Sequence, residues 1–273
     1  MERRLLYPGC LVLACLQDYE LSARRVLGKI GVELEDMHEF ACCASSIAPS
    51  FTDEWINLAA YNLALAEARG RDIVTLCGSC TKTLRDAARI LDEDAGRLGR
   101  VNRKLAEIGL SYSGRTKVTH IIEVMDERLD EVAAASSIEV NIRVALQHPC
   151  NVSRPGELMQ FDDPWQPQKM RQVIQAAGIP VVDYDQEDEC CGSALLMSEE
   201  EPALNLARRK LGSAIRAGAE GMVVSCGNCA MLLKNFQHKI SKSAPGLSLP
   251  VIFLPQIVGL AMGIPAVELG MKA

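Results

Sequence analysis

The 273-residue sequence is poor in aromatic residues, in positive charge and in uninterrupted hydrophobic runs, and each shortage removes a class of function. Phe, Trp and Tyr make up only 4% of the chain, too little for a base-stacking platform. The formal net charge is −6, so the basic surplus that phosphate binding demands is missing and nucleic acid is set aside as a partner. The most apolar stretch, VIFLPQIVGLAMGIPAVELG from Val251, is interrupted by Pro255, Gln256, Gly259, Gly263, Pro265 and Glu268. It reads as a strand followed by a short buried helix, and no membrane contact is expected. The start, MERRLLYPGCLVLAC, carries too short an apolar run, broken at Pro8 and Gly9, for a signal peptide. A cytoplasmic protein is the expectation.

Against these shortages stand eleven cysteines, too many for an average intracellular chain and too few for a disulfide-knotted one. With Cys15 set aside, they form two sets with one grammar: a single Cys, an adjacent pair, then Cys-x-x-Cys. The first set is Cys10, Cys42, Cys43, Cys77 and Cys80; the second is Cys150, Cys190, Cys191, Cys226 and Cys229. Flanking segments repeat too. NLAAYNLALAEARGRDIVTLCGSC from Asn57 aligns with NLARRKLGSAIRAGAEGMVVSCGNC from Asn205 across a one-residue gap, and KVTHIIEVM from Lys117 answers PVIFLPQIV from Pro250. Such a long period argues for a duplicated half-domain rather than a solenoid. We place the division in the Ala-rich EVAAASSIEV, giving halves 1–138 and 139–273.

Each half reads as alternating strands and helices. RRLLYPGC and NIRVALQHPC suit short buried strands that end at the single cysteine. SARRVLGKIGVEL and PQKMRQVIQAAGIPVV then show three- and four-residue apolar spacing, a glycine, and a second strand. The adjacent pair falls in a loop, followed by an Ala-rich helix, a strand (DIVTL; GMVVS), the Cys-x-x-Cys turn and another helix. This predicts an α/β fold of two pseudo-symmetric halves, each a small parallel sheet with flanking helices and a cysteine-rich loop edge. In an open parallel sheet that edge is where ligands gather.

Three chemistries compete for the thiols. Zinc could take Cys77, Cys80, Cys226 and Cys229, but would leave the other six without a role. A thioredoxin-like dithiol at CGSC or CGNC has the same defect. Iron–sulfur chemistry uses more of them. No C-x-x-C-x-x-C run exists for a regular cube, and two adjacent ligands among five would strain one, so the spacing points to an unusual cluster in each half.

Single Cys, Cys-Cys-Gly and Cys-x-x-Cys together resemble the CCG-domain family, and a tandem pair resembles the B subunit of heterodisulfide reductases. The likeness runs from YPGC to CGNC and the LPQIVGLAMG tail. It implies two non-cubane [4Fe-4S] clusters, one on each set of five cysteines named above. It also implies that a small-molecule disulfide, that of coenzymes M and B, is cleaved between them. Cys42, Cys43, Cys190 and Cys191 would then serve catalysis through the bound clusters. The chain lacks a C-x-x-C-x-x-C-x-x-x-C-P run and a Gly-x-Gly-x-x-Gly loop, so electrons must come from a partner. The resemblance implies a ferredoxin-like C subunit docked on a flavin-containing A subunit. Two alternatives stay open: a relative acting on another disulfide, a sulfur carrier or a quinone, and a structural zinc protein.

Some residues depart from the pattern or stand outside it. Ala44 occupies the glycine position of the first half, whereas CCGSA keeps Gly192; glycine there would permit a positive φ. Cys15 is expected to be a packed free thiol. His148 and His120 could turn toward the second and first sites, while His38 and His238 read as surface residues. Arg208, Arg209 and Lys210 read as a solvated basic face, and the acidic run before Cys190 as solvated or a contact with another chain.

Overall fold

The computed structural model describes residues 1–48, 53–244 and 246–271. Its first half is a four-stranded parallel sheet of β1 (Glu2–Tyr7), β2 (Val32–Glu35), β3 (Ile73–Thr75) and β4 (Val118–His120), in the order β2-β1-β3-β4. The second half contains β5 (Val144–Gln147), β6 (Gly221–Val224) and β7 (Val251–Phe253), in the order β5-β6-β7. The second strand expected after IQAAGI shrinks to one parallel bridge, Val144 to Val181, on the outer side of β5. Pro180 and the chain's early turn away cut this strand short, because proline brings no N–H to a ladder. Otherwise the two sheets share one topology. Helices cover both faces, which is why the strands read as short continuous apolar runs such as VALQ and GMVV, buried throughout.

The halves are interlocked through their helices. Helix Gln17–Lys29 of the first half packs on Leu254–Ala261 of the second, and Lys169–Ala176 of the second packs on Ile121–Asp126 of the first. The tail is thus a strand and a short buried helix, and among the described residues no helix is long and apolar enough to cross a membrane. Across the seam Tyr19 stacks on Phe253 with ring centroids 4.3 Å apart, and its hydroxyl lies 2.9 Å from Ser225 Oγ. Lys234 to Asp18 (2.6 Å) and Lys169 to Asp126 (2.9 Å) add one half-buried ion pair on each side. A single hydrophobic core runs through both halves.

One element breaks the duplication. Helix Gly78–Glu93 runs unbroken from CGSC, but its counterpart Gly227–Ala230 passes into a π turn, Met231–Asn235, before Gln237–Ser243. The single helix expected over AMLLKNFQHKI is therefore interrupted. The extra residue in that turn lets Lys234 reach Asp18 while Leu232 and Leu233 stay buried.

Candidate metal centre

Sheet order decides where the cysteines go. From β1 the chain crosses to one side and from β3 to the other, so the strand order reverses between them, at their C-terminal ends. Cys10 begins the helix just after β1, and Cys77 caps the helix just after β3. Cys150 and Cys226 hold the matching places after β5 and β6. All four stand at helix N-termini, where the helix dipole favours a thiolate, but Cys226 pushes Cys77 up and Cys190 pushes Cys150 up. The glycine of each Cys-Gly-x-Cys turn permits close approach of the halves: a Cβ on Gly78 would lie 3.3–3.5 Å from Val152, Asn151 and Pro149, and one on Gly227 3.4 Å from Leu11 Cβ.

The ten thiols of the two sets form one continuous line. Ordered by which thiol each perturbs, it runs Cys10, Cys42, Cys43, Cys80, Cys77 and then, across the seam, Cys226, Cys229, Cys191, Cys190, Cys150. The second half repeats the first in reverse, as a pseudo-twofold axis requires. At that axis Cys77 Sγ and Cys226 Sγ are 3.9 Å apart, and within the first half Cys43 and Cys80 are 3.4 Å apart. Cys43, Cys77, Cys80, Cys191, Cys226 and Cys229 are buried; Cys10 and Cys42 are exposed at one end of the line. Two clefts open along it. One is lined by Cys10, Cys43, Cys77 and Cys80; the other by all five second-half cysteines. Ser79 and Asn228, matched residues of the two Cys-x-x-Cys turns, line both clefts. Asn228 donates to Ser79 Oγ at 2.8 Å, and Asn151 does so at 3.0 Å.

Proximity divides protons unevenly. The bond from Cys80 pulls the Cys43 thiol down to about 6 and in return pushes Cys80 well up. In the second half Cys150 holds Cys190 far below the ordinary thiol range, while Cys190 pushes Cys191 up to about 11. At the axis Cys226 is held low by Cys229 and Cys77. The same backbone bond recurs in both halves, Ala44 N donating to Cys42 Sγ and Gly192 N to Cys190 Sγ, each at 3.4 Å; it adds to the lowering of Cys190, whereas burial outweighs it and raises Cys42.

The donor set fits a polynuclear iron–sulfur group better than a lone ion. Five convergent thiols per half, most of them buried and with few other polar partners, are soft ligands of the type such clusters take. The four thiols of the zinc alternative do adjoin one another, since Cys77 meets Cys226. Yet among the described residues no three His, Cys, Asp or Glu side chains converge tightly enough to share one ion. Thiolates of a cluster take different iron atoms and spread farther apart.

Several neighbours differ from the sequence expectation. Cys15 is exposed, not packed: helix Cys10–Cys15 turns it outward, and its thiol only caps Leu11 O at 3.4 Å. His120 is fully buried at the end of β4, with Nδ1 accepting from Ile122 N. Burial pulls it down to about 4, against the opposing charge of Cys226 in the second half's set. His148 is buried beside Cys150, its Nε2 2.9 Å from Glu187 Oε1. Glu187 in turn meets Arg171 at 2.7 and 2.8 Å, so part of the acidic run is a half-buried prop and not a solvated face. Lys210 is the largest correction. It is 1% exposed, bonded to the Gln186 carbonyl and, at 3.3 Å each, to Glu187 O and Tyr184 Oη. Burial pulls its ammonium down to about 8, while Cys191, Cys229 and Cys190 act to raise it. Its i−3 and i−7 spacing to Ala207 and Ala203, both buried, was the signal for its inward face. His38 and His238 are exposed, as expected.

Comparison with known proteins agrees with this geometry. The model of the cysteine-rich CCG domain matches twice, over residues 5–85 and 144–234. A protein of Archaeoglobus profundus, named for its likeness to the B subunit of heterodisulfide reductase, is 30% identical over 94% of this chain and 90% of its own. The B subunit of the ferredoxin/F420H2-dependent CoB-CoM heterodisulfide reductase of Methanosarcina acetivorans is 29% identical over 100% and 93%. The 8-methylmenaquinol:fumarate reductase membrane anchor subunit of Wolinella succinogenes is also 29% identical, over 97% and 94%. Among solved structures, a hypothetical protein from Helicobacter pylori superposes with a TM-score of 0.79 at 20% identity; it shares the fold over 98% of this chain, which spans 51% of that one. With both halves matched, each carrying the full cysteine grammar on its own parallel sheet, the chain belongs to the CCG family of cysteine-rich domains.

Proposed function

We propose that the chain is the disulfide-handling component of a heterodisulfide reductase-type complex, an oxidoreductase acting on a sulfur group. It would bind two [4Fe-4S] clusters of the non-cubane kind, one through Cys10, Cys42, Cys43, Cys77 and Cys80 and one through Cys150, Cys190, Cys191, Cys226 and Cys229. The carrying observation is the unbroken line of ten thiols, five from each half, along two clefts that share Ser79 and Asn228. When bound, such clusters supply one electron apiece, which suits a two-electron cleavage of an S–S bond into two thiols.

The chain's own part is to bind, orient and exclude water. Helices of both halves seal the seam, and the Gly78 and Gly227 turns bring the two sites together there. Exposed Cys10 and Cys42 mark one open end, where a small disulfide of the coenzyme M–coenzyme B type would enter. Ser79, which accepts from two asparagines, is left with its O–H to donate into the space between the clefts. Halves 1–138 and 139–273 are thus one functional unit. A ferredoxin-like partner would deliver the electrons, itself served by a flavin-containing one.

A second reading rests on one observation: the Wolinella relative belongs, by its name, to a menaquinol-oxidising complex. Under that reading the same paired sites pass electrons between a quinol-linked partner and a further component of the complex. Anaerobic purification tests the shared core. About eight irons per chain, as two four-iron clusters require, support it; zinc without iron overturns it. A thiol-induced paramagnetic signal on adding coenzyme M or coenzyme B thiol then selects the disulfide reading, and its absence with quinol oxidation selects the other.

A further inference from the structure

The two halves differ in charge at one matched helix position that is buried in both. The alignment of NLAAYN from Asn57 with NLARRK from Asn205 sets Asn62 opposite Lys210. Both side chains are fully buried, at 0% and 1% exposure, and both turn to the loop leading into the adjacent cysteine pair. Asn62 Oδ1 accepts from the Ala41 N–H, next to Cys42, at 2.8 Å, and Nδ2 donates to Leu58 O at 3.0 Å. Lys210 Nζ donates to the carbonyls of Gln186 and Glu187 and to Tyr184 Oη, whose own proton goes to Leu146 O at 2.7 Å. Three oxygens that can only accept match the three protons of an ammonium.

None of those oxygens carries a charge. The Glu187 carboxylate is engaged by Arg171 and His148 instead. A cation removed from water with only neutral partners is costly unless a negative charge stands close by. Lys210 is in electrostatic reach of Cys191, Cys229 and Cys190 and, less strongly, of the Glu187 carboxylate. Leu206, one turn earlier on the same helix, packs on the Cys-Cys-Gly turn: a Cβ on Gly192 would lie 3.0 Å from Leu206 Cβ. The helix therefore packs on the Cys-Cys-Gly turn through Leu206 and holds its one buried cation against the loop leading into the second-half pair, while the first half offers a neutral amide at the same place.

We infer that Lys210 makes the second-half site the more easily reduced of the two, its fixed positive charge stabilising an added electron on the group held by Cys150, Cys190, Cys191, Cys226 and Cys229. This deepens the cluster-bearing reading and rests on it. The step is the transfer of one electron from an external one-electron reductant, which is oxidised in turn; no bond or proton changes place. The potential of such a group follows the net charge and hydrogen bonding around it, and a desolvated charge acts strongly at short range. Lys210 acts through that field and is a positioning residue.

The test is a reductive titration of the anaerobic, iron-loaded full-length protein with dithionite and redox mediators, followed by paramagnetic resonance and visible absorbance. In the unmodified sequence, the signal appearing at the higher potential should be lost in Cys150→Ser and kept in Cys10→Ser. Lys210→Gln should lower that potential by at least tenfold in the reduction equilibrium, 59 mV for one electron, and leave the other unmoved. Lys210→Arg should hold it near its original value. No iron in the unmodified protein overturns the cluster reading and the inference with it. Two iron-loaded sites whose first-half member reduces first, or a Lys210→Gln variant with both potentials unchanged, overturn the inference alone. The order of reduction needs no Lys210 variant, so a misfolded variant cannot shelter it.

Discussion

The adjacent-cysteine turns of the two halves make the same shape from different residues. In the second half Gly192 sits at φ +94°, and in the first Ala44 sits at φ +65°, also left-handed. Both turns direct the next N–H to the first thiol of the pair, at 3.4 Å. The left-handed backbone is thus a demand of presenting two neighbouring thiols to one site, and the chain meets it even where a methyl group makes it costly, by about 1–2 kcal/mol. Glycine is obligatory only where a helix presses in. A Cβ on Gly192 would lie 3.0 Å from Leu206 Cβ and 3.1 Å from Ala203 O, whereas buried Ala44 already has room for its own. Ala44 alters the strain in the first turn, not its geometry.

The largest test of this equivalence removes one matched thiol at a time. Cys80→Ser and Cys229→Ser should each lose about half of the bound iron and abolish turnover, as elemental analysis and an activity assay will show. Loss of all iron from either variant would mean that the halves load as one site. Next in size is the turn itself. Gly192→Ala should cost about 1–3 kcal/mol, through strain and crowding together, and lower the melting temperature by several degrees. Ala44→Gly should raise stability by about 0.5–1 kcal/mol, read in the same melt.

How much of this was legible beforehand varies with the interaction. The cysteine grammar and the repeat of strand, turn and helix could be read because each is local and periodic. Lys210 and Glu187 were misjudged because they sit in charged runs, RRK and EDE, whose bland reading is a solvated face. Burial there is decided by what the helix and loop pack against. The π turn at Met231 leaves equally little trace, since it shifts hydrogen bonding without disturbing the apolar pattern, whereas the lost strand at Val181 had a visible signal in Pro180.

Smaller tests probe the seam from either side. Lys234→Met removes the pair with Asp18, and Lys169→Met the pair with Asp126; each should cost about 0.5–1 kcal/mol in denaturant unfolding, both pairs being half-buried. The two losses should add, because they lie at different contacts. The smallest effect is acidic. Burial works against the charged form of both Glu67 and Glu187, but Ser113 and Arg115 in the first half, and His148 and Arg171 in the second, hold each carboxyl below its usual 4.5. Their contribution is present above that pH and disappears as the pH falls through the lowered values. Glu67→Gln and Glu187→Gln should each flatten the loss of stability below about pH 4.5 in acid titrations followed by circular dichroism.

The sequence by itself determined that ten thiols belong to two equal sets on two copies of one α/β unit, because duplication and metal-type spacing are linear properties. Tertiary structure alone decided that the sets join into a single line at Cys77 and Cys226, and that Ala44 takes a glycine's conformation. It also decided that the loop before one cysteine pair binds a buried ammonium and the loop before the other a neutral amide. Those outcomes depend on the seam and on helix-to-loop packing, where residues far apart in the chain meet, and no local pattern records such meetings.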